Sequence, residues 1–168
     1  MQRQGFLTAD AAYVMPERLA AYRWMAARLA EKVPPPASVA FPIWAWRFAH
    51  GRRQPKPDLR RRGHLEKGAA GVRIEFEIPQ EQVLLSSFDG WHAVLNDTFF
   101  SLGDEEYERC ERLEAELPSE KLREAKEKSW YGIFDLSKLP GPDVYEVQAV
   151  FWRLDMTMVG KVDFLRQG

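Results

Sequence analysis

The chain has almost no cysteine. Cys110 is the single cysteine among 168 residues, so an internal disulfide is excluded. The charged stretch around it, Glu108 to Arg112, is not the neighbourhood of a metal ligand or a nucleophile. A domain of this length buries roughly 70% of the surface that its unfolded chain exposes, so it needs no cross-links. The composition therefore predicts a cytoplasmic protein in a reducing compartment.

The chain also lacks a long hydrophobic run. The longest apolar segment, Val39 to Trp46, is interrupted by Pro42 and is much shorter than the ~20 residues that span a bilayer. Met1 to Asp10 contains no charged stretch followed by an apolar run, which is the pattern of a secretion signal. Neither export nor a membrane partner is predicted.

Two kinds of ligand motif are missing as well. Gly63, Gly68 and Gly71 follow no buried strand, and no lysine-serine or lysine-threonine pair accompanies them, so phosphate loops of the P-loop and dinucleotide types are excluded. Three histidines and one cysteine show no zinc spacing, and a metal site would have to consist mainly of carboxylates. No metal site is predicted.

Charge, in contrast, is abundant and unevenly distributed. From Arg47 to Lys67 there are eight lysines or arginines and two acids, a balance of +6. From Asp104 to Glu127 there are ten acids and five bases, a balance of −5, which is typical of solvated helix surfaces. A basic face attracts anions, so a phosphate-bearing small molecule or a nucleic acid is the favoured kind of partner.

Hydrophobic periodicity predicts grouped helices and several strands. Helices are expected over 17–33, from an N-cap at Ser87 or Asp89 through Leu95, over 104–117 and over 119–134. Strands are expected over 41–48, 72–78, 82–85, 144–154 and 157–165. Gln2 to Phe6 has the pattern of a helix tail that ends at Gly5.

This order of elements predicts the fold class. Because the helices are grouped and do not alternate with strands, we expect one α+β domain over 1–168 with a mixed, mainly antiparallel sheet. Its helical segment covers about 104–134. A basic loop at about 49–70 is long for a compact domain, and loops of that length are usually functional or mobile.

One candidate site is helical. Asp89, His92 and Asn96 have spacings of three and four residues, so their side chains can converge on a ligand or act as an acid and a base. The alternative is structural: Asp89 caps the helix, His92 lies beside the core and Asn96 ends the helix. The structural interpretation is favoured.

A second candidate site lies at the start of the basic loop. Trp44, Trp46 and Arg47, followed by loop arginines such as Arg60, combine flat apolar faces with fixed cations. Such residues stack on a base and neutralise phosphates. The alternative is that both tryptophans are core residues and the arginines are solvated.

A third candidate lies in a late strand. Gln148 and Trp152 alternate onto one face of the segment Val147 to Trp152. A buried glutamine among aromatic residues requires a hydrogen-bond partner or a ligand.

Several motifs together resemble a known family. The chain is similar to a bacterial and phage family of small domains of unknown function over nearly its whole length, and the resemblance implies no activity. Members usually begin with a further short strand containing a tryptophan, which would precede Met1. The segments that carry the resemblance are Pro42 to Trp46, Lys56 to Arg60, Ile74 to Pro79, Leu84 to His92, Ser129-Trp130 with Ile133 to Asp135, and Gln148-Ala149 with Phe151-Trp152.

More distantly, the chain resembles the ADP-ribosyltransferase-like fold. That resemblance implies a split antiparallel sheet that holds NAD, with a catalytic glutamate on a late strand beside a Gln-Ala sequence. Gln148-Ala149 matches, but Val150 stands where the acid is expected. Glu146, on the same face as Gln148, is the nearest substitute, and the other possibility is an inactive site.

Two functions follow from these observations. The first is a nucleotide-binding domain for an NAD-like ligand, with Trp44, Trp46 and Arg60 holding the ligand and Glu146 or Gln148 near the reacting bond. The second is a non-catalytic module whose basic loop docks on nucleic acid or an acidic protein. A concave pocket favours the first, and an exposed ridge of polar groups favours the second.

Overall fold

A three-stranded antiparallel sheet lies at the centre of the computed structural model, which describes residues 5–58, 68–139 and 145–166. The strands are β1 (Phe6–Thr8), β2 (Ile43–Phe48), β3 (Ala70–Phe76), β4 (Leu84–Ser87), β5 (Val147–Phe151), β6 (Arg153–Asp155) and β7 (Val159–Arg166). The helices are α1 (Leu19–Lys32), α2 (Phe88–Leu95), α3 (Asp104–Glu116) and α4 (Ser119–Trp130). All strand pairs among these residues are antiparallel, so the α+β prediction is confirmed.

The central sheet has the order β2-β5-β4. Each residue of β5 is buried, as expected of a strand with neighbours on both edges and layers on both faces. The register places Trp44 and Leu84 opposite Val150, and Trp46 and Ser86 opposite Gln148. Alternation along the strands therefore puts these residues on one face of the sheet.

Helices cover that face. Val150 packs with Met25 and Leu29 of α1 and with Trp91 and Val94 of α2, and all five are almost completely buried. The apolar stripe of α1 recurs at three- and four-residue spacing, which explains why α1 forms here. Each such side chain stabilises the fold by about 1.5–3 kcal/mol relative to an exposed position.

A two-stranded ribbon, β3 paired with β7, covers the opposite face. Ile74, Phe76 and Val159 of this ribbon pack against Ala149 and Phe151 of β5 in a second apolar cluster. The sheet is thus the middle one of three layers. The other face of the ribbon carries a row of charged side chains, here called the charge ladder. In it, Arg73 contacts Asp163 at 2.7 Å.

The N-terminal segment differs from its prediction. Phe6 begins β1, which pairs with β6, and it does not end a helix. Gly5 has the positive φ of 73° typical of a residue beyond a helix end. Here that conformation precedes a strand, and the rest of the predicted helix tail, residues 2–4, lies outside the described residues.

Other predictions needed changes at their boundaries. The expected strand 144–154 is divided at Trp152 into β5 and β6, because the chain changes partner there from the central sheet to β1. The strand expected over 82–85 starts two residues later, after a 3-10 turn at Gln80–Gln82. The last predicted helix ends at Trp130 and continues as a 3-10 turn.

Two contacts fix the first turn of helix α2. The Oγ of Ser87 accepts a hydrogen bond from the N–H of Gly90 at 3.1 Å, so Ser87 is the N-cap and Asp89 is not. A Cβ at Gly90 would lie 2.9 Å from Cγ2 of Ile133 and 3.0 Å from the ring of Phe100. Glycine therefore permits the close contact that places α2 against the turn after α4.

Candidate functional site

A polar row crosses the helix-side face of the central sheet. Trp46 on β2, Gln148 on β5 and Ser86 on β4 stand opposite one another in the register. Ser86 is completely buried and Gln148 is 6% exposed. The row therefore places polar side chains where neighbouring positions, such as Val150, are apolar.

Two polar atoms of this row have no hydrogen-bond partner among the described residues. Nε2 of Gln148 and Oγ of Ser86 are both shielded from solvent and unpaired. Leaving one buried donor or acceptor unpaired costs about 1–3 kcal/mol. Such a cost marks positions where a ligand or an ordered water completes the hydrogen bonds.

A histidine pairs with a glutamate that lies two residues before Gln148 in the chain. Nδ1 of His50 is 3.0 Å from Oε1 of Glu146, which precedes Gln148 by two residues and so lies on the same side of the chain. The side chains of His50 and Glu146 are 33% and 29% exposed. A partly open pair of titratable groups thus includes a residue that is two positions from the buried Gln148.

A tight turn positions His50. The N–H of Ala49 donates to the carbonyl of Pro55, the N–H of His50 donates to that of Gln54, and Gly51 has a φ of 75°. A positive φ at this point favours glycine, because a Cβ would make the conformation strained. The first part of the basic loop is therefore an ordered turn that holds an imidazole beside Glu146.

The contact with Glu146 determines which ring nitrogen of His50 is available to a ligand. In the neutral imidazole, an Nδ1 proton donated to the carboxylate leaves Nε2 as a hydrogen-bond acceptor. That Nε2 is shielded from solvent and has no partner in the part of the chain that the structure describes. A carboxylate-held imidazole with a bare nitrogen is the arrangement used by general bases.

Aromatic rings border the row. The rings of Trp46 and Phe88 are 4.8 Å apart, and the ring of His92 contacts Phe88 edge-on at 4.5 Å. The N–H of Phe88 also donates to the carbonyl oxygen of Glu146 at 3.0 Å. The start of α2 is therefore fixed to the segment that carries Glu146, and Trp46 contributes a flat face beside Gln148.

Two predicted ligand-binding tryptophans occupy the core. Trp44 packs on Trp91 with ring centroids 4.6 Å apart, and its Nε1 is buried and unpaired. Trp152 is buried and donates from Nε1 to the carbonyl of Val33 at 2.7 Å. Trp152 directly follows β5 and lies four residues beyond Gln148, roughly 13 Å away at strand spacing, so it is separate from the row.

The cations in and just before the basic loop differ in what they contact. Arg47 is exposed, and its guanidinium and that of Arg52 lie 5.3 Å and 5.9 Å from the ring of Phe48. Lys56 forms an ion pair with Glu75 on the ribbon. Arg60 lies outside the described residues, so its predicted role stays a prediction.

The helical trio does not form a cluster of its own. Asp89 and His92 on α2 are exposed, and so is Asn96, the residue that follows the helix. Nδ1 of His92 is 3.1 Å from the carbonyl of Phe88, and Oδ1 of Asn96 accepts from Arg18 at 3.0 Å. His92 reaches the row through its contact with Phe88, whereas Asn96 supports the junction of α1 and α2.

Ser86 and His50 are site residues that the sequence reasoning missed. Ser86 shares one face of β4 with Leu84, and this two-residue alternation was the available signal. His50 is brought to Glu146 across 96 positions of the chain, and no local pattern indicates that contact.

The surroundings of the site are also informative. A groove of about 520 Å³ lies elsewhere and is lined by Val14, Leu19, Arg23 and Phe41 among others. Within the described ranges, no group of three or more histidine, cysteine, aspartate or glutamate side chains is close enough to hold a metal ion.

No helix among the described residues is long and apolar enough to cross a membrane.

Comparison with known proteins gives one match. The sequence model of a family described as Domain of unknown function (DUF3841) matches residues 1–159. Comparison with curated proteins and with solved structures gave no significant match.

Proposed function

Because the chain belongs to the DUF3841 family, whose description names no activity, its function has to be inferred from the site, and we propose that it binds an NAD-like nucleotide. The observation that carries the proposal is a pair of buried groups on neighbouring strands that have no partner within the described ranges, Nε2 of Gln148 and Oγ of Ser86. Trp46 lies beside them with an aromatic face for stacking. A planar ring that carries a carbonyl or ring-nitrogen acceptor satisfies both features.

The charge near the row supports a ligand that carries phosphate. Arg47 and Arg52 flank Phe48, two residues beyond Trp46, and begin the segment with a balance of +6. Fixed guanidinium groups bind phosphate oxygens through charge-assisted hydrogen bonds. The stacking surface and the cations are therefore close along the chain, as a nucleotide requires.

The chemistry that fits these groups is ADP-ribosyltransferase-like. In such a reaction the bond between C1′ of the ribose and the nicotinamide nitrogen breaks, and its electron pair leaves with nicotinamide. The oxygen of water or of an acceptor hydroxyl forms the new bond to C1′, and its proton passes to Nε2 of His50. Glu146 keeps the imidazole oriented through Nδ1, and Gln148 holds the leaving ring.

Titration calorimetry with NAD tests the proposal. We expect the native protein to bind NAD, and Gln148→Leu to weaken binding at least about tenfold, the effect of losing ~1.4 kcal/mol. Gln82→Leu is the matched control, because Gln82 is an exposed glutamine in a 3-10 turn outside the row. The absence of heat at millimolar NAD, or equal weakening by both variants, would contradict the proposal.

The second candidate is a non-catalytic module that docks nucleic acid or an acidic protein through the basic loop. The exposed Arg47 and Arg52 favour it, but the pairing of Lys56 with Glu75 removes one cation from the loop. Such docking releases counterions, so affinity for a polyanion should fall steeply with salt. Fluorescence anisotropy with a labelled oligonucleotide over a salt series separates this module from a pocket for a small ligand.

A further inference from the structure

The ribbon of β3 and β7 has an apolar face that continues beyond the core. The register pairs Val72 with Phe164 and Ile74 with Val162, so these four side chains share one face. Ile74 packs against the central sheet, whereas Val72, Val162 and Phe164 are 51%, 42% and 82% exposed. Soluble domains rarely leave a contiguous apolar patch of this kind uncovered, and such patches mark interaction surfaces.

The outer edge of β7 is also available. Among the described residues, β7 pairs with β3 and with no other strand. Free strand edges present unpaired N–H and C=O groups that another strand can bind. The β3 edge is different, because Lys56 and the carbonyl of Pro57 contact Glu75 and Arg73 beside it.

We propose that β7 pairs antiparallel with β7 of a second copy of this chain, with the two-fold axis at Val162. In that register Lys161 of one copy stands opposite the partner's Asp163, and the same pair recurs on the other side of the axis. The sequence Lys161-Val162-Asp163 is thus complementary to itself. A two-fold interface requires this kind of self-complementarity, whereas an unrelated partner does not.

The exposed aromatic side chain fits the same register. Phe164 stands opposite the partner's Gly160. A Cβ at Gly160 would have one neighbour within 4 Å, the carbonyl oxygen of Glu75 at 3.8 Å, so the space above this glycine is open. Covering a strand glycine with a cross-strand aromatic ring is a known stabilising arrangement in sheets. The pairing therefore shields the most exposed ring of the ribbon.

The charged face of the ribbon is compatible with this pairing. Asp163 already contacts Arg73 at 2.7 Å and Lys161 at 2.9 Å within one copy. In the pair, the partner's Lys161 extends this ladder across the axis, and no like charges meet. Val162 and Phe164 lie beyond residues 1–159, the range that the family model matches. The proposed pairing does not depend on the proposed nucleotide site.

Sedimentation equilibrium over a wide range of protein concentration tests the inference. We expect a monomer–dimer equilibrium for the native chain and a dissociation constant at least about tenfold higher for Phe164→Ser. Tyr13→Ser is the matched control, because Tyr13 is an aromatic residue of similar exposure, 87%, outside the ribbon. A native chain that stays monomeric, or a Phe164→Ser variant that dimerises as the native chain does, would overturn the inference.

A charge exchange tests the register itself. Lys161→Glu alone and Asp163→Lys alone each place like charges across the axis, so each variant should dimerise poorly at low salt. In an equimolar mixture, the exchanged charges face each other with opposite signs, and heterodimers should form. Circular dichroism confirms that each variant is folded, and a mixture that remains monomeric although the native chain dimerises would refute this register.

Discussion

Nδ1 of His50 and a carboxylate oxygen of Glu146 lie 3.0 Å apart, and this contact joins the basic loop to the strand that carries Gln148. Half of the pair comes from the turn at Gly51 and half from the segment entering β5. The contact therefore links two parts of the chain that sequence inspection treats as separate sites. Nε2 of His50 has no partner among the residues that the structure describes.

Ser86 and Ser87 are adjacent buried serines that should respond oppositely to alanine. Ser86→Ala removes an unpaired buried hydroxyl, so the free energy of unfolding should rise by about 1 kcal/mol while NAD binding weakens. Ser87→Ala removes the N-cap of α2 and should lower the free energy of unfolding by about 1 kcal/mol. Urea unfolding of both variants measures the difference, and destabilisation by Ser86→Ala would show that its hydroxyl has a partner in solution.

Gly90 should tolerate no larger residue. An added methyl group would lie 2.9 Å from Ile133 and 3.0 Å from Phe100, so Gly90→Ala should lower the free energy of unfolding by about 1–3 kcal/mol. Gly103→Ala is the control, because a Cβ there has no neighbour within 4 Å and the backbone is extended. Thermal unfolding of both variants provides the measurement. Equal melting temperatures would contradict the tight packing of α2 on the turn after α4.

The charge ladder of the ribbon should give a pH-dependent stability. Hydrogen bonds from Lys161, and then from Arg73, lower the pKa of Asp163, and a hydrogen bond from Lys56 lowers the pKa of Glu75. A carboxyl whose pKa is lower in the folded state stabilises the fold above its ordinary pKa of about 4. That contribution is lost as the pH falls through the lower pKa of the folded state.

Asp163→Asn isolates this effect. The native protein should melt at a higher temperature than the variant at neutral pH, and the difference should shrink as the solution becomes acidic. Differential scanning calorimetry over an acidic pH series gives the two curves. Asp89→Asn, an exposed carboxyl on α2 outside the ladder, is the control. A difference that grows toward acid would have the opposite sign to this linkage.

The fold was largely predictable because its signals are local. The apolar stripe of α1 and the alternation in β2 and β3 follow from burial at fixed periods, and each element is present. The break at Trp152 was not predictable. A strand changes its partner there through contacts between Phe6–Thr8 and Arg153–Asp155, and these contacts are remote in sequence.

The candidate site was predictable in part. Gln148 was expected to be buried and in need of a partner, and the structure places it so. Sequence alone does not distinguish Trp46 from Trp44 and Trp152, because all three are tryptophans. Which of them packs in the core depends on where the helices cover the sheet. His50 was not predicted as a site residue, because its place in the site depends on its contact with Glu146, which is 96 positions away in the sequence.

The shielding of Gln148 has a kinetic consequence. Its Nε2 is out of contact with solvent, so an incoming molecule has to displace neighbouring side chains before it can reach this donor. Association should then be limited by a unimolecular opening step, with an observed rate that reaches a plateau as ligand concentration rises. Trp46, in contact with Phe88 at the border of the row, provides an intrinsic fluorophore for following that opening by stopped flow.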